Sequence, residues 1–430
     1  MNEPLPALTE PVRSVAEYLA RGGGQGLAAA LTRAPAQVTA EVRRSGLRGR
    51  GGSGFPTGQK WQSVRAHPCE TRYLVCNAAE GEPATFKDRW IIRRNPYQVL
   101  EGIAIAAYAI GAVKAYIVIK ERSKREIEAL RRAMAEMPVR VPVEITAGPD
   151  DYLFGEEKAA VEVIEGREAL PRILPPYQVG LFARSGRPNP TVVNNVETLA
   201  NLPLILRRGA DWFRESGTPG SPGGMVFTLC GDIRRPGMYE LPLGLSLDAL
   251  VRLVGGGPRE GRRIKVVVPG ASAAPLPPER FGTPLDFDLM RAAGSALGSG
   301  GFAVYDDTAC MVAVTLGFAR FLADESCGQC PACKRGCTAI ADGLERIERG
   351  AGGQADLRAV LARCETVTGG RRCALPAGAD LLVRSAVETF REEFEAHLGR
   401  SCPRPRRLPF PLIADFGDGR FSYETREVAA

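Results

Sequence analysis

The segment ESCGQCPACKRGC places Cys327, Cys330, Cys333 and Cys337 at spacings of two, two and three residues, and no other stretch restricts the fold so severely. Thiols two residues apart on a turn containing Gly and Pro can converge on the corners of one cubane, and soft sulfur ligands suit a [4Fe–4S] centre. Structural zinc is the competing reading, but it usually takes two CxxC pairs across a longer loop, and no second pair occurs. Spacing leaves the fourth ligand open. In two-cluster ferredoxins the cysteine at the x3 position serves the other cluster, and this sequence has no second set. Cys373, in RRCALPAGADLL, is the better candidate, because its Pro and Gly neighbours mark a loop from which a thiolate could reach back. Cys337 is the alternative, or else a packed thiol on the helix after the turn. Cys69, Cys76, Cys230, Cys310, Cys364 and Cys402 are isolated and read as small buried residues.

At 430 residues the chain exceeds one ordinary core and is expected to form two to four compact units. Eleven cysteines without an export signal point to metal or redox use rather than a disulfide framework. The start, MNEPLPALTEPVRSVAEYLARGG, is acidic where a signal peptide would be basic. No apolar run reaches the roughly 18 residues of a membrane span. A cytoplasmic chain is therefore expected, peripheral to a membrane at most, through partner subunits and without direct insertion. Lys plus Arg exceed Asp plus Glu by only 56 to 49, spread along the chain, which argues against a nucleic-acid partner. Two histidines, His67 and His397, argue against a His-ligated zinc enzyme or a Ser-His-Asp hydrolase.

Behind an N-terminal extension (1–35), residues 36–208 alternate helix and strand, the pattern of a layered α/β domain. PAQVTAEVRRSG, NPYQVLEGIAIAAYAIGA and SKREIEALRRAMAEM read as helices; RYLVCN, KAYIVIKER and VPVEITAGP read as strands. GADWFRESGTPGSPGG has the composition of a flexible connector. Residues 225–310 read as a small α+β module with strands MVFTLCG, GMYELPL and RIKVVVPG and a helix LDALVRLVGGG. Residues 311–400 read as a helical bundle: MVAVTLGFARFLADES, IADGLERIERG, ADLRAVLARCE and GADLLVRSAVETFREEFEAHLG. Residues 401–430, with PRPRRLPFP, read as an arm lying on the surface or on a partner.

GLRGRGGSGFPTGQKW holds Gly49, Gly51 and Gly54 in a GxGxxG spacing, but a helix precedes it where the dinucleotide fingerprint requires a strand. Its glycines still offer backbone N–H groups, and Arg48, Arg50 and Lys60 offer positive charge, for a phosphate or a flat ring. CNAAEGEPATFKDR puts Glu80 and Glu82 at a strand end, where α/β domains bind ligands. YLFGEEKAAVEVIEG supplies Gly155, Glu156 and Glu157, and NPTVVNNVETLANLP supplies Asn194 and Asn195, groups able to bond sugar hydroxyls and flavin edges.

Five segments in order, GLRGRGGSGFPTGQKW, CNAAEGEPATFKDR, YLFGEEKAAVEVIEG, PTVVNNVETL and ESCGQCPACKRG, resemble the NADH-binding flavoprotein subunit of respiratory complex I and its relatives in NAD-linked hydrogenases and formate dehydrogenases. The resemblance implies a Rossmann-like FMN domain, a ubiquitin-like β-grasp (soluble-ligand-binding) module over GDIRRPGMYELPLGLSLDALVRLVGGG, and a [4Fe–4S] helical bundle. It implies FMN contacts at Gly49, Arg50, Gly51, Lys60, Asn77, Glu80, Gly155, Glu156, Val193, Asn194 and Asn195. NADH contacts are implied at Phe55, Glu82 and Glu157, with Tyr177 near the adenine; cluster ligands are implied at Cys327, Cys330, Cys333 and Cys373. The implied activity is NADH oxidation through FMN and the cluster to a partner iron–sulfur subunit, of a thioredoxin-like [2Fe–2S] kind. The sequence departs from the family at Ala79 (usually Asp), Ala84 (usually Gly), Leu174 (usually Lys), Ser63 (often aromatic), Phe154 and Lys158. Losing a lysine near a pyrophosphate and a stacking ring costs on the order of several kcal/mol of nucleotide binding. Those departures motivate a second reading, a relay or docking subunit that keeps the cluster but has weak or no NADH chemistry.

Overall fold

A computed structural model describes residues 10–369, 372–402, 406 and 408–425. Helices α1 (Val15–Ala20), α2 (Gln25–Leu31), α3 (Pro35–Ser45) and α4 (Thr57–Ala66) precede an alternating run. That run is β1 (Tyr73–Ala78), α5 (Lys87–Arg94), α6 (Pro96–Ile110), β2 (Lys114–Lys120), α7 (Lys124–Glu136), β3 (Val143–Gly148), a 3-10 turn (Tyr152–Gly155), α8 (Glu157–Ile164) and β4 (Thr191–Asn195). The strands form one parallel sheet in the order β3-β2-β1-β4. β1 and β2 are apolar along almost their whole length because helices cover both faces of the sheet.

Helix α6 is buried nearly all round, and Glu101 is the one carboxylate in its middle. It accepts from the backbone N–H groups of Gly24 (2.7 Å) and Leu27 (2.8 Å) and from the Tyr18 hydroxyl. Gly24 has no side chain with which to cap α2, so Glu101 satisfies that helix start from across the core. The N-terminal helices are thereby fixed to the α/β layer.

The chain continues through α9 (Val196–Ala200), α10 (Leu202–Arg208) and α11 (Ala210–Arg214) into a second sheet of β5 (Gly224–Gly231), β6 (Gly237–Pro242), β7 (Ile264–Val268) and β8 (Gly301–Asp306), with α12 (Phe287–Ala292) before β8. Its order is β6-β5-β8-β7, with β5 and β8 parallel between two antiparallel pairs. The expected helix LDALVRLV winds as a π-helix over Ala249–Val254, where the Gly255 N–H reaches back five residues to the Leu250 carbonyl (2.8 Å). The expected flexible connector is instead pinned. α11 occupies part of it, Ser221 is buried, and the Arg50 guanidinium binds the carbonyls of Pro222 (2.9 Å) and Gly224 (3.2 Å). Composition signalled the turns but not the arginine that holds them.

The last layer is α13 (Met311–Asp324), α14 (Pro331–Glu348), α15 (Gln354–Thr366), α16 (Leu375–Thr389) and α17 (Arg391–Ala396). α14 starts at Pro331 rather than Ile340, because a proline at the first helical position needs no N–H partner. The last expected helix breaks at Phe390. A hairpin of β9 (Ile413–Gly417) and β10 (Arg420–Tyr423) follows. It lies on this chain's own α5: Arg89 donates to the carbonyls of Ile413 and Ala414 (3.0 Å each) and Arg93 pairs with Asp415 (2.6 Å). The rest of the expected arm (403–405, 407 and 426–430), and the first nine residues of the segment weighed as a signal, lie outside the described residues. Among the described residues no helix is long and apolar enough to cross a membrane.

Ala84 sits at φ +64°, a left-handed conformation that costs an L-residue about 1–2 kcal/mol. Its N–H is held by the Pro411 carbonyl (2.6 Å). Ala84→Gly should therefore raise the denaturation midpoint, by about 1 kcal/mol of stability. An unchanged or lowered midpoint would show that the fold does not feel this strain.

Candidate functional site

The strand order reverses at β1, whose chain continues to β2 on one side while β4 is added on the other, and such a switch point makes a crevice beyond the C-terminal ends of β1 and β4. The glycine loop arrives there from between α3 and α4, not from a strand. The Gly49 N–H bonds the Phe55 carbonyl (2.8 Å) and the Thr57 N–H bonds the Leu47 carbonyl (2.9 Å), folding the loop into a narrow tongue. A Cβ on Gly51 would stand 3.1 Å from Cβ of Asn195, and one on Gly155 would stand 2.8 Å from the Ala79 carbonyl oxygen. Both glycines thus bring backbone against a strand end where a side chain would intrude.

Two expected cations are not available to a ligand. Arg48 is bound to both oxygens of Asp288 (2.6 and 3.1 Å), and Arg50 is fully buried, clamping the connector. Burial also draws Arg50 down to about 10. Lys60 does face the crevice. Its ammonium lies 2.7 Å from Glu157 and 3.0 Å from the Val193 carbonyl.

The expected carboxylates and amides divide in the same way. Glu80 is buried, accepting from the Asp88 N–H (2.9 Å) and pairing with Arg89 (3.0 Å). Asn195 caps α9, accepts from Lys87 (3.1 Å) and donates to Asp88 (2.6 Å). Lys87 and Asp88 are not distinguished by sequence, because α5 reads KDRWIIRR and its buried charges look like the other charges of the helix. Burial raises Asp88 to about 6. Glu82 accepts from the Tyr152 hydroxyl (2.6 Å) and the Ala271 N–H (2.7 Å) of the second sheet's loop, and burial raises it. Asn77 donates to the Gly155 carbonyl (2.7 Å), and Asn194 accepts from the Trp61 indole (2.8 Å). Glu156 caps α8 through the N–H groups of Lys158 and Ala159, and burial raises it to about 7 despite Lys158. Phe55 and Tyr177 are exposed, as are Leu174 and Ser63.

The cysteine motif closes a small cavity lined by Cys327, Cys330, Cys333 and Cys373 together with Leu153, Ser326 and Arg372. Cys337 is not in that lining; it lies on α14, almost fully buried. Its hydrogen bond to Cys333, helped by Ser326 and Lys334, draws the Cys333 thiol down to about 6 against burial, while the same bond and burial push Cys337 up. Burial raises Cys373 to about 11. Gln329 Nε2 points at the Cys327 sulfur (3.7 Å), and Ser326 Oγ lies 3.3 Å from that of Cys333. The two sites share one short turn: Leu153 lines the cavity, and two residues on Gly155 packs against the end of β1.

Residues 42–204 match the family described as the Nuo51 FMN-binding domain, residues 226–271 the SLBB domain, and residues 313–397 the NADH-ubiquinone oxidoreductase-F iron-sulfur binding region. The chain is 44% identical to an F-type NADH-quinone oxidoreductase subunit of Rhizobium meliloti over 90% of its own length and 95% of that protein. The chain belongs to the F-type family of NADH-quinone oxidoreductase subunits. It is also 37% identical to HndC, a subunit of the NADP-reducing hydrogenase of Solidesulfovibrio fructosivorans, over 91% of this chain and 82% of that one. An NAD+-reducing [NiFe]-hydrogenase in the H2-reduced state superimposes with a TM-score of 0.79 at 36% identity, covering 90% of this chain and 67% of that one.

The donor sets fit the cofactors of this family. Four thiols around one cavity, with a hydroxyl and an amide close to two of the sulfurs, suit a [4Fe–4S] cluster. A glycine tongue, two strand-end amides and one ammonium suit FMN. Cys373→Ser should remove the cluster's visible absorption or leave an altered electron paramagnetic resonance signal, whereas Cys337→Ser should retain both absorption and iron. The opposite pattern would make Cys337 the ligand. Glu156 gives a pH test in flavin-free protein. Its raised pKa contributes stability that is full below about pH 4.5 and lost as pH rises through about 7. Glu156→Gln should flatten that fall, read as the denaturation midpoint against pH.

Proposed function

We propose that this family member oxidises NADH at FMN held over the ends of β1 and β4 and passes the electrons through a cluster on Cys327, Cys330, Cys333 and Cys373 to an iron–sulfur partner subunit. The shared turn carries the reading, since Leu153 borders the cysteine cavity and Gly155 the flavin crevice. When bound, FMN supplies the change from a two-electron hydride donor to single electrons, and the cluster carries them one at a time.

The chain's own groups hold and orient. Gly49, whose N–H is held by the Phe55 carbonyl, shapes the tongue, and the backbone at Gly51 with Lys60 would face the FMN phosphate side. Asn77, Asn194, Gly155 and Glu156 border the ring side, and the Val193 carbonyl is fixed by Lys60. Arg50, Glu80 and Asn195 act from below by shaping the crevice, because their side chains are engaged within the fold. Phe55 and Tyr177 offer exposed rings to the nucleotide. Glu157 suits a ribose diol and repels a 2′-phosphate. Glu82 is held by Tyr152 and Ala271 at the crevice wall.

Cys327 and Cys330 are half-exposed, which marks the side where a partner would receive electrons. A thioredoxin-like [2Fe–2S] subunit is the partner we propose, in a cytoplasmic complex that meets a membrane only through other subunits. The retained polar groups in every crevice segment weigh against a subunit that keeps the cluster but lacks NADH chemistry. In anaerobic titration, one equivalent of NADH should bleach the flavin bands. NADPH should act about tenfold or more weakly, and Glu157→Gln should narrow that gap. NADH without effect, where dithionite reduces both centres, would sink the reading.

A further inference from the structure

Far from the crevice, four side chains from separate parts of the bundle meet: Cys310 at the start of α13, Glu348 at the end of α14, His397 just after α17, and Cys402 in the segment beyond. Their ligand atoms all lie within 4.8 Å of one another. Cys310 Sγ is 3.3 Å from His397 Nε2 and 3.8 Å from Glu348 Oε2, and His397 Nε2 is 3.4 Å from Glu348 Oε2. A tetrahedron with metal–ligand bonds of about 2.0–2.3 Å has edges of about 3.3–3.8 Å, so these three separations match those of a coordination shell. Cys402 contacts both Cys310 and Glu348 and supplies the fourth corner.

We propose that Cys310, Glu348, His397 and Cys402 form a structural zinc site. The imidazole is oriented for it: Nδ1 lies 2.6 Å from the Glu393 carbonyl, which fixes the proton on Nδ1 and leaves the Nε2 lone pair facing the other three groups. Cys310 and His397 are buried, and a buried pair of thiol and imidazole with a carboxylate is an ordinary zinc donor set. Two thiolates and a carboxylate leave the site one negative charge after zinc binds. The Lys265 ammonium stands beside it, on the Ala309 carbonyl (2.6 Å) and paired with Glu393. Four protein ligands leave no open position, so the ion staples rather than catalyses. It ties the exit from β8, the far end of α14 and the C-terminal segment to one point. α14 has 18 residues and so is about 27 Å long, which keeps the site well away from Cys330 at its other end.

The test uses the full chain, with its iron–sulfur cluster, purified from zinc-replete cells without chelator. Elemental analysis should find about one zinc per chain beside the cluster iron, and zinc-edge X-ray absorption should show two sulfurs at about 2.3 Å and two lighter ligands at about 2.0 Å. Cys402→Ser should lower zinc affinity at least about tenfold while cluster absorption and iron content stay unchanged. Should that variant fail to fold, Glu348→Gln supplies the same comparison. Background zinc in the wild type overturns the proposal. So does a four-sulfur zinc spectrum, which would place the ion on the cluster cysteines, a Cys310–Cys402 disulfide found by peptide mapping, or zinc retained undiminished in the variants.

Discussion

Lys87 has no exposed surface, yet it carries a charge, and the crevice is assembled around it. Its ammonium lies 2.7 Å from Asp88, 3.1 Å from Glu197 and 3.1 Å from the side-chain oxygen of Asn195. Burial works against the charge, but Asp88, Glu197 and Glu80 together hold it above the usual lysine range. Each partner belongs to a different part of the fold. Asn195 ends β4, Asp88 opens α5, and Glu197 also accepts the Val226 N–H of β5 (2.7 Å). One buried cation therefore sets the spacing between the first sheet, the helix beneath the crevice and the second sheet. Such a network adds little net stability, but removing one member leaves a buried charge uncompensated, at a cost of about 3–5 kcal/mol. Its contribution is position.

This explains why several charges named from the sequence do not face a ligand. A crevice open enough for a flat ring has to keep its walls apart without side chains filling the gap. The glycines do the opening, and the charges hold the walls from behind: Arg50 grips the connector, Arg48 grips Asp288, and Glu80 grips Arg89, which in turn holds the C-terminal hairpin. Of Arg48, Arg50 and Lys60, Lys60 is the cation left at the face, and it is itself placed by Glu157 and the Val193 carbonyl.

Strands such as RYLVCN and KAYIVIKER were legible because apolar runs between polar turns have few other uses. Helix α6 was legible for the same reason, with Asn95 and Gly111 punctuating its ends. β4 was not, since TVVNN reads equally as a ligand-bearing loop and becomes a strand only by pairing with β1. The closing hairpin was hidden likewise, because its anchors on Arg89 and Arg93 lie more than three hundred residues away in sequence. The cysteine motif announced itself through spacing. Cys310, His397 and Cys402 did not, because their proximity is created by three helices folding back on one another. Local pattern thus located the chemistry that is contiguous and missed what only tertiary packing brings together.

The departure at Lys158 shows how a change at one site can be read at the other. Its backbone N–H belongs to the Glu156 cap at the crevice, while its ammonium donates to the Arg372 carbonyl, the residue before Cys373. Arg372 and Gln329 in turn both donate to the Pro171 carbonyl on the loop following α8. The start of α8 and the loop bearing Cys373 are thereby fixed to each other by side chains as well as by the Tyr152–Gly155 turn. Lys158 thus ties the crevice-side start of α8 to the loop bearing Cys373 across the gap between the two sites.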